Sequence, residues 1–222
     1  MSHTLLYGGT FDPIHHGHLI VCQRARELLV ADEVLLIPAS VSPHKMVGHV
    51  KSATPAAHRL AMLRLAVENI PHFTVDPREL FRAGPSYTAD TLDELRREHP
   101  NTRFTLLLGA DQLPKFHTWV RVQDILAPTP LRDIAILGRP FGDKDPTITL
   151  SSGLAAVREH LGPDVAARFE EAVLPTPLIE ISATDVRNRV REHLPIHYLV
   201  PPAVEAYIRT HDLYPTPGRA KG

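Results

Sequence analysis

The sequence predicts an α/β fold: a mostly parallel sheet with helices on both faces, plus a small helical part at the C-terminal end. Two observations carry that prediction. Short apolar runs alternate with stretches of helical periodicity through all 222 residues, the pattern of parallel strands joined by crossover helices. The glycines, histidines and cations that a plain core would not use recur just after the apolar runs. Sheets of this class bind ligands there, beyond the carboxyl ends of their strands.

The first strand is the run Thr4 to Tyr7. Gly8-Gly9-Thr10-Phe11-Asp12-Pro13-Ile14-His15-His16-Gly17-His18 follows, and then a helix with Val21, Cys22, Ala25, Leu28 and Leu29 on its apolar face. Glu33 to Ile37 makes the second strand, and a long polar loop from Ala39 to Ala53 carries Pro43-His44-Lys45. Thr54-Pro55 reads as N-cap and first-turn proline of a helix buried through Leu60, Leu63, Val67 and Ile70. A third strand lies near Phe73 to Val75. Gly84-Pro85-Ser86-Tyr87-Thr88 hands over to a helix carrying Leu92 and Leu95, with Thr88 as its expected N-cap.

Phe104 to Leu108 is the clearest buried strand and ends at Gly109-Ala110-Asp111; Phe116 and Trp119 follow. Ile134 to Leu137 is the next strand, closed by Gly138-Arg139-Pro140. After a polar connector, Leu154, Val157 and Leu161 mark a helix broken at Gly162-Pro163 and resumed at Val165 and Phe169. Leu178 to Ile181 reads as the last strand, running into a helix that starts at Ser182. Pro201-Pro202 opens a final helix. Residues 1–214 are expected to form one domain, with about 182–214 as its helical subregion and 215–222 as a disordered tail.

Composition narrows the function class. With 24 basic and 25 acidic residues there is no general field for nucleic acid or a membrane surface, so anion binding must be local. The single cysteine excludes an internal disulfide framework. No apolar run approaches ~20 residues and no basic leader is seen, so a soluble cytoplasmic protein is expected. The oligomeric state is left open.

The first turn has the geometry that collects phosphate. Glycines bring the backbone close, the N–H groups of a helix start face an anion, and His15 and His18 add donors. It is not a Walker loop, because no Gly-Lys-Ser/Thr follows. A bare His-x-Gly-His is equally a capping pair. The other groups have plainer readings too. Ser182 with Asp185 is an N-cap pair, or Ser182, Thr184 and Arg187 take phosphate as well. Lys45 is a solvated lysine or a phosphate clamp. Asp111 is an N-cap or a carboxylate for ribose hydroxyls. Tyr87 and Thr88 are structural, or offer helix-start N–H groups to a carboxylate. Trp119 is core, or stacks on a cationic ring. Asp12 has no assigned role, and His3, His49, His58, His99, His160, His193 and His211 read as surface residues.

The catalytic inventory holds phosphate donors without a nucleophile–base pair or a carboxylate dyad. That suits a phosphate monoester, already anionic at neutral pH with its second pKa near ~6, attacking unaided while the protein offsets the charge of departing pyrophosphate. His15, His18, Lys45 and Arg187 have the required character. No dedicated metal site is expected, and any Mg2+ would be held mainly by the substrate's own phosphates.

The string from Gly9 to His18 closely resembles the signature of the nucleotidylyltransferase superfamily, and Ile181-Ser182-x-Thr184-x-x-Arg187 resembles its second signature. Pro43-His44-Lys45, Pro85 to Thr88, Gly109 to Leu113 with Phe116-x-Thr118-Trp119, and the stretch Leu199 to Tyr214 look like bacterial nicotinate-mononucleotide adenylyltransferases, in order along nearly the whole chain. The resemblance implies a Rossmann-like sheet and transfer of AMP from ATP to nicotinate mononucleotide, giving deamido-NAD and pyrophosphate. It implies ATP contacts at Gly8, Gly9, Thr10, Phe11, His15, His18, Gly109, Asp111, Ile181, Ser182, Thr184 and Arg187. It implies nicotinate-mononucleotide contacts at Lys45, Tyr87, Thr88, Asp111 and Trp119. Ser40-Val41-Ser42, where relatives often carry asparagine, and Val120, where an aromatic is common, depart from the pattern. The rivals are an adenylyltransferase acting on NMN or phosphopantetheine, and a non-catalytic nucleotide-binding module.

Overall fold

The computed structural model describes residues 1–40, 54–127, 132–138 and 146–215. Among them, six strands form one parallel sheet in the order β3-β2-β1-β4-β5-β6. They are β1 (Ser2–Gly9), β2 (Glu33–Pro38), β3 (Phe73–Val75), β4 (Thr102–Gly109), β5 (Arg132–Leu137) and β6 (Val173–Leu174). The chain winds outward from β1 to β3, returns to the other side of β1, and winds outward again to β6. The winding reverses between β1 and β4, where a doubly wound sheet opens its ligand crevice.

The helices sort onto the two faces. Leu5, Tyr7, Val34, Leu36 and Leu107 point to the face covered by α1 (His16–Leu28), α2 (Ala56–Val67), α8 (Ala183–Arg191) and α9 (Pro202–Thr210). Leu6, Ile37, Phe104, Leu106 and Leu108 point to the other, as alternation along a strand requires. That face is covered by α4 (Thr88–Glu98), a 3-10 helix over Ala110–Thr118, α5 (Val122–Leu126), α6 (Pro146–Leu161) and α7 (Pro163–Glu171). The short α3 (Arg78–Phe81) leads into α4.

Four expectations need correction. Leu178 to Ile181 is not a strand: Leu178 is exposed, while Ile179 and Ile181 pack on the core from outside the sheet. The sixth strand is the pair Val173–Leu174, cut short by Pro175 and Pro177, which have no N–H for a ladder. The inward face of α2 runs through Arg59, Met62, Leu63, Ala66 and Val67, and Ile70 is exposed. Its N-cap is Pro55, and that of α4 is Tyr87, so the expected caps Thr54 and Thr88 each sit one place off the observed one. His3 is buried rather than at the surface, with Nε2 2.9 Å from the Thr105 hydroxyl. Lys45 with the rest of loop 41–53, Arg139, and residues 216–222 of the expected tail lie outside the described residues.

Candidate functional site

The first turn is built around its own side chains. Gly9 ends β1 and His15 caps α1 in an extended conformation. The backbone N–H of His15 donates to Nδ1 of His18 at 3.2 Å, so His18 completes the cap. A ring nitrogen that accepts carries no proton, so the proton of neutral His18 sits on Nε2, where it can be donated to an oxyanion. The ring is boxed in. His15 stacks on it at 3.6 Å between centroids, Phe11 meets it edge-on at 5.2 Å, and Tyr7 lies 6.0 Å away. The glycine between the histidines leaves the His15 ring its place: a Cβ on Gly17 would stand 3.0 Å from that ring, which would have to give. Among the described residues, a Cβ on Gly8 would meet no atom within 4 Å, so their packing does not ask for glycine there.

Arg187 reaches this turn from α8. Its Nη1 donates to the carbonyl of Asp12 at 2.6 Å and its Nη2 to the Thr184 hydroxyl at 3.1 Å. Ser182 is the N-cap, its Oγ accepting from the N–H of Asp185 at 3.0 Å. The capping reading of Ser182 therefore holds, and the same geometry delivers the guanidinium to the histidine turn.

Asp12, unassigned from sequence, is the hub beneath. Its carboxylate accepts from the Tyr214 hydroxyl at 2.8 Å and from the N–H of Thr54 at 3.2 Å. Burial, reinforced by the Asp12 charge, pushes the Tyr214 phenol well above its ordinary pKa, so it stays a donor.

The other wall starts at β4, whose residues 102–106 pair with residues 2–6 of β1. Gly109 ends that strand, and Asp111 sits in the first turn of the 3-10 helix, accepting from Gln112 Nε2 at 2.5 Å. Trp119 closes the same helix, its ring 5.0 Å from Phe116 and partly buried against the core. Tyr87 and Thr88, both half-buried, form the start of α4. Ser86 just before them accepts from the N–H of Ser40 at 3.1 Å, tying that helix start to the end of β2. Below lies Glu79, a buried carboxyl that accepts from Thr91 at 2.7 Å and whose pKa burial pushes up. From outside, Arg121 fans to Asp93 at 2.8 Å, Asp90 at 3.2 Å and Asp124 at 2.6 Å, joining the Trp119 segment to α4.

Of the predicted residues that are described, Gly8 to His18 lie at and just after the carboxyl end of β1, Gly109 and Asp111 at that of β4, Tyr87 and Thr88 at the start of α4, Trp119 at the end of the 3-10 helix, and Ser182, Thr184 and Arg187 at the start of α8. Ile181 contributes packing, half-buried against the core. Among the described residues no group of three or more His, Cys, Asp or Glu could hold a metal ion. The donor set suits phosphate oxygens.

Comparison with known proteins points the same way. The model of the cytidylyltransferase-like family matches residues 6–189. A probable nicotinate-nucleotide adenylyltransferase of Thermomicrobium roseum is 42% identical over 97% of this chain and 93% of its own length. Another, from Pectobacterium atrosepticum, is 40% identical over 96% and 99%. A solved structure of Plasmodium falciparum nicotinic acid mononucleotide adenylyltransferase complexed with NaAD superposes with a TM-score of 0.68 at 20% identity, covering 96% of this chain and 98% of that one.

Proposed function

The chain belongs to the cytidylyltransferase-like family and groups with its nicotinate-nucleotide adenylyltransferases, and from that premise we propose that it transfers AMP from ATP to nicotinate mononucleotide. Deamido-NAD and pyrophosphate are the products, a step of NAD biosynthesis. The cytoplasm is the proposed setting, on the ground of that biosynthetic role. No helix among the described residues is long and apolar enough to cross a membrane.

The chemistry follows from the donor set. The phosphate of nicotinate mononucleotide brings its own anionic oxygen. That oxygen bonds in line to the α-phosphorus of ATP as the bond to the bridging oxygen breaks, and pyrophosphate leaves with the electron pair. No covalent enzyme intermediate is needed. The first turn, with Gly8, Gly9, Thr10 and Phe11, takes the polyphosphate. His18 Nε2–H, His15, Lys45 and Arg187 offset charge building on the leaving group. Mg2+ would come with ATP, held mainly by its phosphates and by water, and would offset charge on the leaving group. Ser182, Thr184, Ile181, Gly109 and Asp111 line the nucleotide side; Tyr87, Thr88, Trp119 and Asp111 line the nicotinate side.

The observation that carries this reading is Arg187 Nη1 at 2.6 Å from the Asp12 carbonyl, which seats a cation at the histidine turn. The test is a parallel assay of nicotinate mononucleotide and NMN with ATP and Mg2+, following pyrophosphate release and identifying the dinucleotide by mass. Preference for nicotinate mononucleotide is expected; a clear preference for NMN overturns the substrate.

A further inference from the structure

Arg59 is 2% exposed on the inward face of α2, where an apolar side chain would be the ordinary choice. None of the roles above uses it. Its three donor nitrogens all go to main-chain carbonyls: Nη1 to Thr10 at 2.7 Å, Nε to Thr54 at 3.0 Å and Nη2 to Ser40 at 3.3 Å. Burial lowers its pKa, and the nearby Asp12 charge works the other way and supplies the counter-ion.

The shortest of these bonds fixes the first turn. The Thr10 carbonyl and the Phe11 N–H belong to one peptide unit, and in a trans peptide they point in opposite directions. Drawing the carbonyl inward to Arg59 turns the N–H of Phe11 away from the core. Phe11 itself has φ of 48°, a left-handed conformation that a bulky residue holds only when its surroundings enforce it. Its ring is anchored by Tyr7 and His18, and its leading peptide by Arg59.

We propose that Arg59 is a positioning residue that orients the Thr10–Phe11 peptide so that the Phe11 N–H donates to the polyphosphate of the nucleotide. This rests on the first turn being the phosphate site. Lysine at 59 keeps the charge but presents a compact ammonium in place of a planar fork, and cannot serve three carbonyls in that geometry.

The test uses Arg59→Lys, checked for folding by circular dichroism and thermal melting, with inorganic pyrophosphate and Mg2+ as calorimetric probe. Pyrophosphate affinity is expected to fall by about ten-fold or more, the usual consequence of disturbing one hydrogen bond to a charged group. The KM for ATP rises in parallel while that for nicotinate mononucleotide stays within about two-fold. In the unaltered protein, the amide resonance of Phe11 shifts on titration with pyrophosphate, which decides the matter if the variant does not fold. A folded variant with unaltered pyrophosphate affinity, an equal rise in both KM values, or a Phe11 amide unmoved at saturation each overturns the proposal. Calorimetry and the amide titration omit the second substrate, so a failure of the nicotinate assignment leaves them readable.

Discussion

The two walls of the cleft share buried and half-buried polar bonds, Thr91 to Glu79 and Ser40 to Ser86 on the nicotinate side among them, but differ in what else holds them. The histidine wall hangs on buried polar bonds: Arg59 to three carbonyls, Asp12 to Tyr214 and Thr54, and His15 to His18. Asp12, His15, His18, Arg59 and Tyr214 are each at most 9% exposed. The nicotinate wall is clasped on its outer side by Arg121, whose side chain is 44% exposed, against three half-exposed aspartates. Breaking a buried polar bond strands its partner without water, whereas a surface ion pair exchanges readily for solvent and is screened by salt. Under the proposed function, the wall assigned to the developing charge carries more buried polar bonds, and the wall assigned to the ring has in addition a clasp open to solvent.

The largest expected effect is chemical. His18→Ala lowers turnover by ~10²–10³, the typical cost of losing one transition-state donor, with circular dichroism unchanged; retained turnover would remove the histidine wall from the mechanism. Next is Tyr214→Phe, which strips a donor from the buried Asp12 carboxylate. Denaturant unfolding should show a loss of ~1–3 kcal/mol, and a loss near zero would mean the hub is soft. Trp119→Ala should raise the KM for nicotinate mononucleotide by about ten-fold, in keeping with a desolvated ring contact of ~1–2 kcal/mol. The KM for ATP should hardly move, and equal rises in both would erase the division between the walls.

Arg121→Ala should shift the thermal midpoint only slightly, and the shift should shrink in high salt. A large, salt-independent fall would make the two walls alike. The smallest effect concerns His3. Burial holds its pKa below the ordinary 6.5, with Arg103 adding to the effect. Below about pH 6.5 the unfolded chain takes up a proton that the folded one resists, so this contribution is complete above that value and is lost on acidification. Melts at about pH 7.5 and about pH 5.5 should differ more for the unaltered protein than for His3→Asn; an equal difference would assign the acid sensitivity elsewhere.

What could be read from the sequence follows the same division. Residues whose role is local were legible: the glycine turn, the Ser182 cap with Asp185, the run Phe104 to Leu108 and the break at Gly162-Pro163 all signal within a few positions. Groups whose role is a bond to distant backbone were not. Nothing in the spacing of Arg59 marks Thr10 and Ser40 as its partners. The one available signal was a charge set among Met62, Leu63, Ala66 and Val67 on a helical stripe, and Leu60 and Ile70 drew the stripe away from it. Asp12 sat inside the strongest motif, yet its partners Thr54 and Tyr214 come from far along the chain. Leu178 to Ile181 had the apolarity of a strand, but a sheet position also needs an open edge and ladder N–H groups, and Pro175 and Pro177 turn the chain away first.

The most direct test of the two-wall account is a structure of the protein with deamido-NAD bound. The account predicts the adenylyl phosphate within hydrogen-bonding reach of His18 Nε2 and the first turn, with the nicotinate ring against Trp119 and its carboxylate at the Tyr87–Thr88 helix start. A dinucleotide lying the other way round, or with its phosphates away from His18 and Arg187, would contradict it.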